Sequence, residues 1–117
     1  MLDDKAEELG RLLGQTEEYK ALRRATEAIR EDKVVQQALQ EAERLAQEIE
    51  RVAQQGQEPT KEQVEKYDGT LQSVQGHPVY QQMVAAQSNF EKLMAKVNSR
   101  IYEGMKKGAA SPIITLG

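Results

Sequence analysis

The chain contains one histidine, His77, within the segment GHPVYQQM. An imidazole is the side chain most suited to general acid–base catalysis near neutral pH. Such catalysis needs an oriented acid or nucleophile beside the histidine, and no serine, threonine or acidic residue lies at a diagnostic spacing from His77. Gly76 and Pro78 flank it, and both residue types interrupt helices. The sequence therefore predicts no catalytic residue, and His77 is interpreted as the break between two helices.

Four carboxylates lie close together near the start of the chain, at Asp3, Asp4, Glu7 and Glu8. Their spacing resembles a metal-binding cluster, but helical di-iron sites also need Glu-x-x-His pairs, and the sequence contains none. Acidic residues in the first turns of a helix complement its dipole. The chain has no cysteine, which excludes disulfides and cysteine-ligated centres within it. The sequence predicts no metal site and no cofactor.

A basic face is formed by Lys92, Lys96 and Arg100, which follow each other at steps of four residues. Such a stripe suits a phosphate backbone, so direct RNA binding along this face is one open hypothesis. Glu103 lies only about 20° from Lys92 around an ideal helix, and no aromatic residue interleaves the stripe to stack on bases. The formal net charge of -3 adds no general attraction to nucleic acid. A solvated helix face is the favoured interpretation.

The composition is typical of solvent-facing helices. In 117 residues, charged residues make up 30% and aromatic residues 4%, and glutamine and glutamate are abundant. The sequence contains no run of about 18 apolar residues, and no cationic stretch followed by an apolar run near Met1. These features predict a single soluble, cytoplasmic domain with no membrane segment.

Apolar residues recur at steps of three and four in five segments, which predicts an all-α fold. The first predicted helix covers about 2–14, and the second is capped by Thr16 and closes near Glu31. The third is capped by Asp32 and ends near Gly56, and the fourth is capped by Thr60 and breaks at Gly76. The fifth is long and runs from Pro78 to about Lys107. We expect a helical domain over residues 1–107. The remaining residues, 108–117, are expected to form a flexible tail that carries Ile113, Ile114 and Leu116.

An internal repeat relates the two halves of this pattern. The segment DKVVQQA at residues 32–38 aligns with HPVYQQM at residues 77–83, an offset of 45 residues, and the apolar positions on both sides align at the same offset. The sequence therefore predicts two related antiparallel helical hairpins after a short N-terminal helix. In this alignment His77 occupies the capping position that Asp32 fills.

The last helix is too long for a compact fold of this size. About 30 helical residues span roughly 45 Å, whereas a compact domain of about 100 residues has a radius of gyration near 13 Å. Apolar residues continue to its end, so the projecting part is expected to pack against a partner, most simply a second copy in a two-fold dimer. The predicted oligomer or partner interface comprises Phe90, Met94, Val97, Ile101 and Met105.

Several segments together resemble one protein family. They are TEEYKAL, REDKVVQQAL, the connector PTKEQVEKY and the long HPVYQQMVAAQSNFEKLMAKVNSRI, in this order and spacing. With the five-helix plan they resemble the YlbF/YmcA/YheA family of small all-helical bacterial regulatory proteins, over about residues 2–103.

The resemblance implies a cytoplasmic bacterial protein that self-associates through long helices. It also implies a regulator or adaptor that acts with other family members or on a membrane-anchored ribonuclease complex, with outputs in competence, sporulation and biofilm formation. Cysteines implicated in iron–sulfur binding in some such complexes have no counterpart here. The sequence thus favours a non-enzymatic adaptor, with an RNA-binding helical protein or a structural helical oligomer as alternatives.

Overall fold

The structure is a computed structural model that describes residues 1–110. Within that range it contains five α-helices and no strand: α1 (Leu2–Gly14), α2 (Glu17–Glu31), α3 (Lys33–Gln54), α4 (Lys61–Gln75) and α5 (Pro78–Ala110). The prediction of an all-α fold with a short first helix and a long last helix is confirmed. The 33 residues of α5 span about 50 Å at 1.5 Å per residue.

Three helices begin at a residue whose side-chain oxygen accepts a backbone N–H from the first turn, as the sequence predicted. They are α2, where Thr16 Oγ1 lies 3.2 Å from the Tyr19 nitrogen, α3, where Asp32 Oδ1 lies 3.0 Å from the Val35 nitrogen, and α4, where Thr60 Oγ1 lies 3.1 Å from the Gln63 nitrogen. Each cap satisfies a backbone donor that has no partner within its helix.

The end of α3 turns the chain back on itself. Gly56 has a φ of 78°, a conformation that glycine adopts without steric cost. The N–H groups of Gly56 and Gln57 donate to the carbonyls of Ala53 and Val52, each at 3.1 Å. This pair of bonds is the Schellman arrangement that ends many helices, and it directs the following loop towards α4.

At the other end of the chain, α5 continues to Ala110, slightly beyond its expected end near Lys107. Small residues at 108–110 allow the helix to continue through them at modest cost. Residues 111–117, with Ile113, Ile114 and Leu116, lie outside the described residues. The flexible tail over 108–117 and the domain boundary at residue 107 stay predictions.

The helices pack as two antiparallel pairs. Consecutive helices α3 and α4 form one pair, and α2 and α5 form the other, while α2 and α3 contact each other less extensively. Only Asp32 separates α2 from α3, and only Gly76 and His77 separate α4 from α5. Each of the two related halves is therefore a bent helical rod, and the rods run side by side in opposite directions. Helix α1 contacts α2.

The core is thin. The buried apolar side chains within residues 1–110 are Ala25, Ile29, Val35, Ala42, Leu45, Val74 and Ala86. The radius of gyration is 22.0 Å and the principal extents are 67 × 35 × 19 Å, against about 13 Å for the radius of gyration of a compact chain of this length. The molecule is a flat rod. Within the described part of the chain, no helix is long and apolar enough to cross a bilayer.

Candidate functional site

The far end of α5 exposes apolar side chains. We call residues 101–107 the α5 tip. Ile101, Tyr102 and Met105 are 45%, 63% and 61% exposed, whereas Phe90, Met94 and Val97 are half-buried. Exposed apolar residues grouped on one helix end are typical of a contact surface. Tyr102 belongs to this surface but is not among the residues that sequence spacing selected, because it lies beside the stripe rather than on it.

Phe90 is engaged within its own chain. Its ring centroid lies 5.7 Å from that of Tyr19, with an interplanar angle of 57°, a geometry that favours aromatic pairs. Tyr19 lies in the first turn of α2, so this contact fastens α2 to the middle of α5. Phe90, one of the five residues predicted to bind a partner, therefore stabilises the fold of its own chain.

A groove separates α1 from α5. It has a volume of about 400 Å³ and is lined by Leu9 of α1 and by Lys96, Val97, Arg100 and Ile101 of α5. The floor is thus apolar, and the two basic side chains stand on its α5 side.

Helix α1 has no buried residue at all. Leu2 and Leu12 are 81% and 58% exposed, while Leu9 and Leu13 are only half-buried. A helix with an apolar stripe normally buries it, so α1 leaves most of its own stripe uncovered within one copy of the chain.

The predicted basic face is interspersed with acidic side chains. Lys92 and Lys96 share a cleft with the carboxylates of residues 17–18 of α2. Arg100 pairs with Glu103, with 3.2 Å between Nη1 and Oε2. These neighbours reduce the positive potential that a phosphate backbone would meet, so the geometry adds no support to RNA binding along this face.

The four carboxylates of α1 are exposed. Asp4 lies 3.9 Å from the amino group of Met1, and Glu8 lies 3.8 Å from the ammonium group of Lys5. Residues 1–110 hold no group of three or more His, Cys, Asp and Glu side chains that could bind a metal ion.

His77 stands at the junction of the two rods. Its Nδ1 accepts the backbone N–H of Val79 at 3.3 Å, so the imidazole helps to start α5 in addition to Gly76 and Pro78. Its Nε2 lies 3.7 Å from Asp32 Oδ2, while Asp32 Oδ1 caps α3. Both side chains thus serve helix N-termini.

Sequence reasoning aligned His77 with Asp32 but did not predict that they meet. The repeat gave part of the signal, because it marked the two breaks as equivalent positions, but it did not determine that they lie at the same place along the two rods.

A family model places the whole arrangement among known proteins. Residues 2–106 match the family described as control of competence regulator ComK, YlbF/YmcA. The chain belongs to this family. The match covers all of α1 to α4 and most of α5, and it confirms the family that the sequence segments indicated.

Individual relatives in the YlbF/YmcA family are distant. A UPF0342 protein of Alkalihalophilus pseudofirmus is 26% identical over 109 residues, which cover 93% of this chain and 92% of that relative. UPF0342 proteins from two strains of Limosilactobacillus reuteri are 24% identical over 98 residues, covering 84% of this chain and 80% of each relative. The family is described by a regulatory role, the control of the competence regulator ComK.

Proposed function

We propose that this protein is a cytoplasmic, non-enzymatic regulatory or adaptor protein that works as a homo-oligomer and presents helical surface to a second protein. The observation that carries the proposal is the α5 tip, where Ile101 and Met105 are 45% and 61% exposed. Helix-on-helix or helix-in-groove packing is the recognition mode that such a surface supports.

The shape of the molecule supports this proposal. A rod with extents of 67 × 35 × 19 Å has much surface and little interior, so it gains more from association than a compact domain does. Met105 adds a flexible thioether, which adapts to the irregular surfaces of different partners. The surface is therefore suited to a protein whose work is contact.

By family resemblance, we propose an RNA-processing ribonuclease complex as the protein partner, with competence, sporulation or biofilm formation as the process affected. The description of the family, control of the competence regulator ComK, supports competence as the process, and the ribonuclease complex rests on the family resemblance. In this proposal the protein carries out no step of RNA cleavage, and it affects the complex by binding to it.

The test is a comparison of affinity captures after crosslinking in the native host. The wild-type chain, the double variant Ile101→Asp/Met105→Asp and the control Val34→Asp are each expressed with the same tag. Val34 is 67% exposed and lies on α3, so its change adds a charge at an exposed apolar residue far from the α5 tip.

We expect wild type and Val34→Asp to recover a ribonuclease at equal yield, and the double variant to lose it. Equal recovery by all three would contradict the α5 tip as the contact surface. Absence of any ribonuclease from the wild-type capture would contradict the named partner. Circular dichroism at 222 nm confirms that each variant keeps its helix content.

A further inference from the structure

The uncovered surfaces of α1 and α5 are complementary in charge. Between Asp3 and Glu8 the chain carries four carboxylates and one lysine, and between Lys92 and Lys107 it carries five basic residues and one acidic residue. Residues 3–8 of α1 are therefore acidic, and the second half of α5 is basic. Opposite potentials across an interface favour association and fix its register.

The same two helices are incomplete within one copy. No residue of α1 is buried, and the groove between Leu9 and Val97 stays open at about 400 Å³. Beyond this groove, α5 carries Tyr102 and Met105 into solvent. Within its own chain α1 contacts α2, and Leu9 of α1 faces Val97 and Ile101 of α5 across the open groove.

From these observations we infer that the α1–α5 groove is filled by the α5 tip of a second copy, so that α1 of each copy lies against α5 of the other around a two-fold axis. The resulting unit contains α1 and the second half of α5 from both copies, which makes a four-helix bundle. This inference rests on the proposed self-association and assigns the α5 tip to it, so a ribonuclease complex would contact the assembled dimer, and Ile101→Asp/Met105→Asp would lose that complex by separating the two copies.

Electrostatics explains why α1 is needed. Two α5 tips brought together alone would place two basic segments side by side, and like charges across an interface cost free energy. When an acidic α1 lies next to each α5, the helices around the bundle alternate in charge. Helix axes in such bundles lie about 8–10 Å apart, which is within the Debye length of about 10 Å at 0.1 M salt.

Two pairs of residues test the contact from its two sides. Asp3 and Glu7 lie on one flank of the α1 stripe, next to Ala6, and take part in no ion pair within residues 1–110. Lys96 and Arg100 line the groove from α5. The variants are Asp3→Lys/Glu7→Lys, which makes α1 basic, and Lys96→Glu/Arg100→Glu, which makes the groove acidic.

Light scattering coupled to size exclusion and sedimentation equilibrium measure the result at 0.1 M salt. We expect wild type to form a dimer of twice 13.2 kDa, and each double variant alone to raise the dissociation constant about tenfold or more because like charges face each other. An equimolar mixture of the two variants should restore dimerisation, as a heterodimer, since each of its contacts then joins opposite charges.

The mixture separates contacts between copies from contacts within one copy. If α1 closed on α5 of its own chain, each variant would keep its repulsion after mixing, and the lack of restoration would overturn the inference. A dimer that both variants leave unchanged, and that Ile101→Asp/Met105→Asp abolishes, would also overturn it while self-association through the α5 tip stands. A wild-type chain that is monomeric both at about 1 mM and after 100-fold dilution would overturn the inference and the proposed self-association. Circular dichroism serves as the folding control.

Discussion

His77 and Asp32 are 45 positions apart in the chain, and their side chains meet, with His77 Nε2 3.7 Å from Asp32 Oδ2. The two residues occupy equivalent places in the internal repeat, and each accepts a backbone N–H at the start of a helix. The break in one half therefore lies against the break in the other. This contact brings the start of α3 close to the start of α5, while the packing of α2 on α5 and of α3 on α4 holds the two halves together.

The first prediction concerns the cap at this junction. Asp32→Ala removes the acceptor for the Val35 N–H and should lower the free energy of unfolding by about 1 kcal/mol. Asp32→Asn keeps a capping oxygen and removes the carboxylate charge beside the imidazole of His77, so it should cost only a few tenths of a kcal/mol, because contacts between partly exposed polar and charged side chains contribute little. Urea denaturation followed by circular dichroism measures both. Equal losses in the two variants would show that the charge, rather than the cap, stabilises the junction.

The second prediction concerns two glutamines that the repeat also relates. Gln36 Nε2 donates to the Ile29 carbonyl at 2.9 Å, and Gln81 Nε2 donates to the Gln75 carbonyl at 3.2 Å, so each spans the break before its helix. The first bond is partly buried and the second is exposed. Gln36→Ala should therefore cost about 1 kcal/mol of unfolding free energy.

Gln81→Ala serves as the matched comparison, since it removes the bond that the corresponding glutamine makes at an exposed place, to the Gln75 carbonyl. We expect its cost to be less than half that of Gln36→Ala, as water replaces an exposed hydrogen bond at little cost. A larger loss for Gln81→Ala than for Gln36→Ala would contradict the argument from burial.

Much of the fold follows from sequence rules that act locally. The caps at Thr16, Asp32 and Thr60 are short-range patterns, in which a side chain bonds the backbone three residues later, and so the helix starts were predictable. The apolar steps of three and four predicted the helices between them. The repeat at residues 32–38 and 77–83 indicated that the chain has two related halves.

The long-range pairing was harder to predict. The Tyr19–Phe90 contact joins residues that no local pattern relates, and periodicity alone gave Phe90 the same interpretation as Met105. What distinguishes them is position along the rod, because α2 covers Phe90 and leaves the α5 tip free. Exposure of an apolar stripe depends on where the neighbouring helix ends in space, and the sequence of the stripe does not contain that information.

The third prediction uses two adjacent valines. Val35 is fully buried and Val34 is 67% exposed, although both lie in the first turn of α3. Val35→Ala removes two buried methyl groups and leaves a cavity where the helices meet, which should cost about 2 kcal/mol. Val34→Ala should stay within about 0.5 kcal/mol of wild type. Similar losses at the two positions in urea denaturation would contradict the placement of the core.

The fourth prediction concerns the loop before α4. Thr60 Oγ1 accepts the Gln63 N–H, and Gln63 Oε1 accepts the Thr60 N–H at 2.9 Å, so the two residues form a capping box. Gln63 Nε2 also lies 3.4 Å from Glu48 Oε1 of α3. Thr60→Ala should destabilise the protein by about 1 kcal/mol, and Thr60→Ser, which keeps the oxygen, should restore most of that loss. Hydrogen exchange of the Gln63 amide, faster in Thr60→Ala, locates the effect.

The last prediction concerns acid sensitivity on α3. The Arg44 guanidinium donates to the Glu41 carboxylate, with 3.1 Å between Nε and Oε2, and this hydrogen bond lowers the pKa of Glu41 below its ordinary value of 4.5. A carboxyl whose pKa is lower in the folded state stabilises the fold above its unfolded pKa, and that stabilisation is lost as the pH falls through the folded pKa. The pair is exposed, so the effect should be small and should fade in 1 M salt.

Glu41→Gln should therefore reduce the loss of stability between about pH 5 and pH 3. The control Glu43→Gln changes an exposed carboxylate of the same helix and should leave a steeper slope of stability against pH. Urea midpoints measured across this pH range decide the matter, and a Glu41→Gln slope as steep as that of Glu43→Gln would mean that the ion pair with Arg44 has no share in acid unfolding.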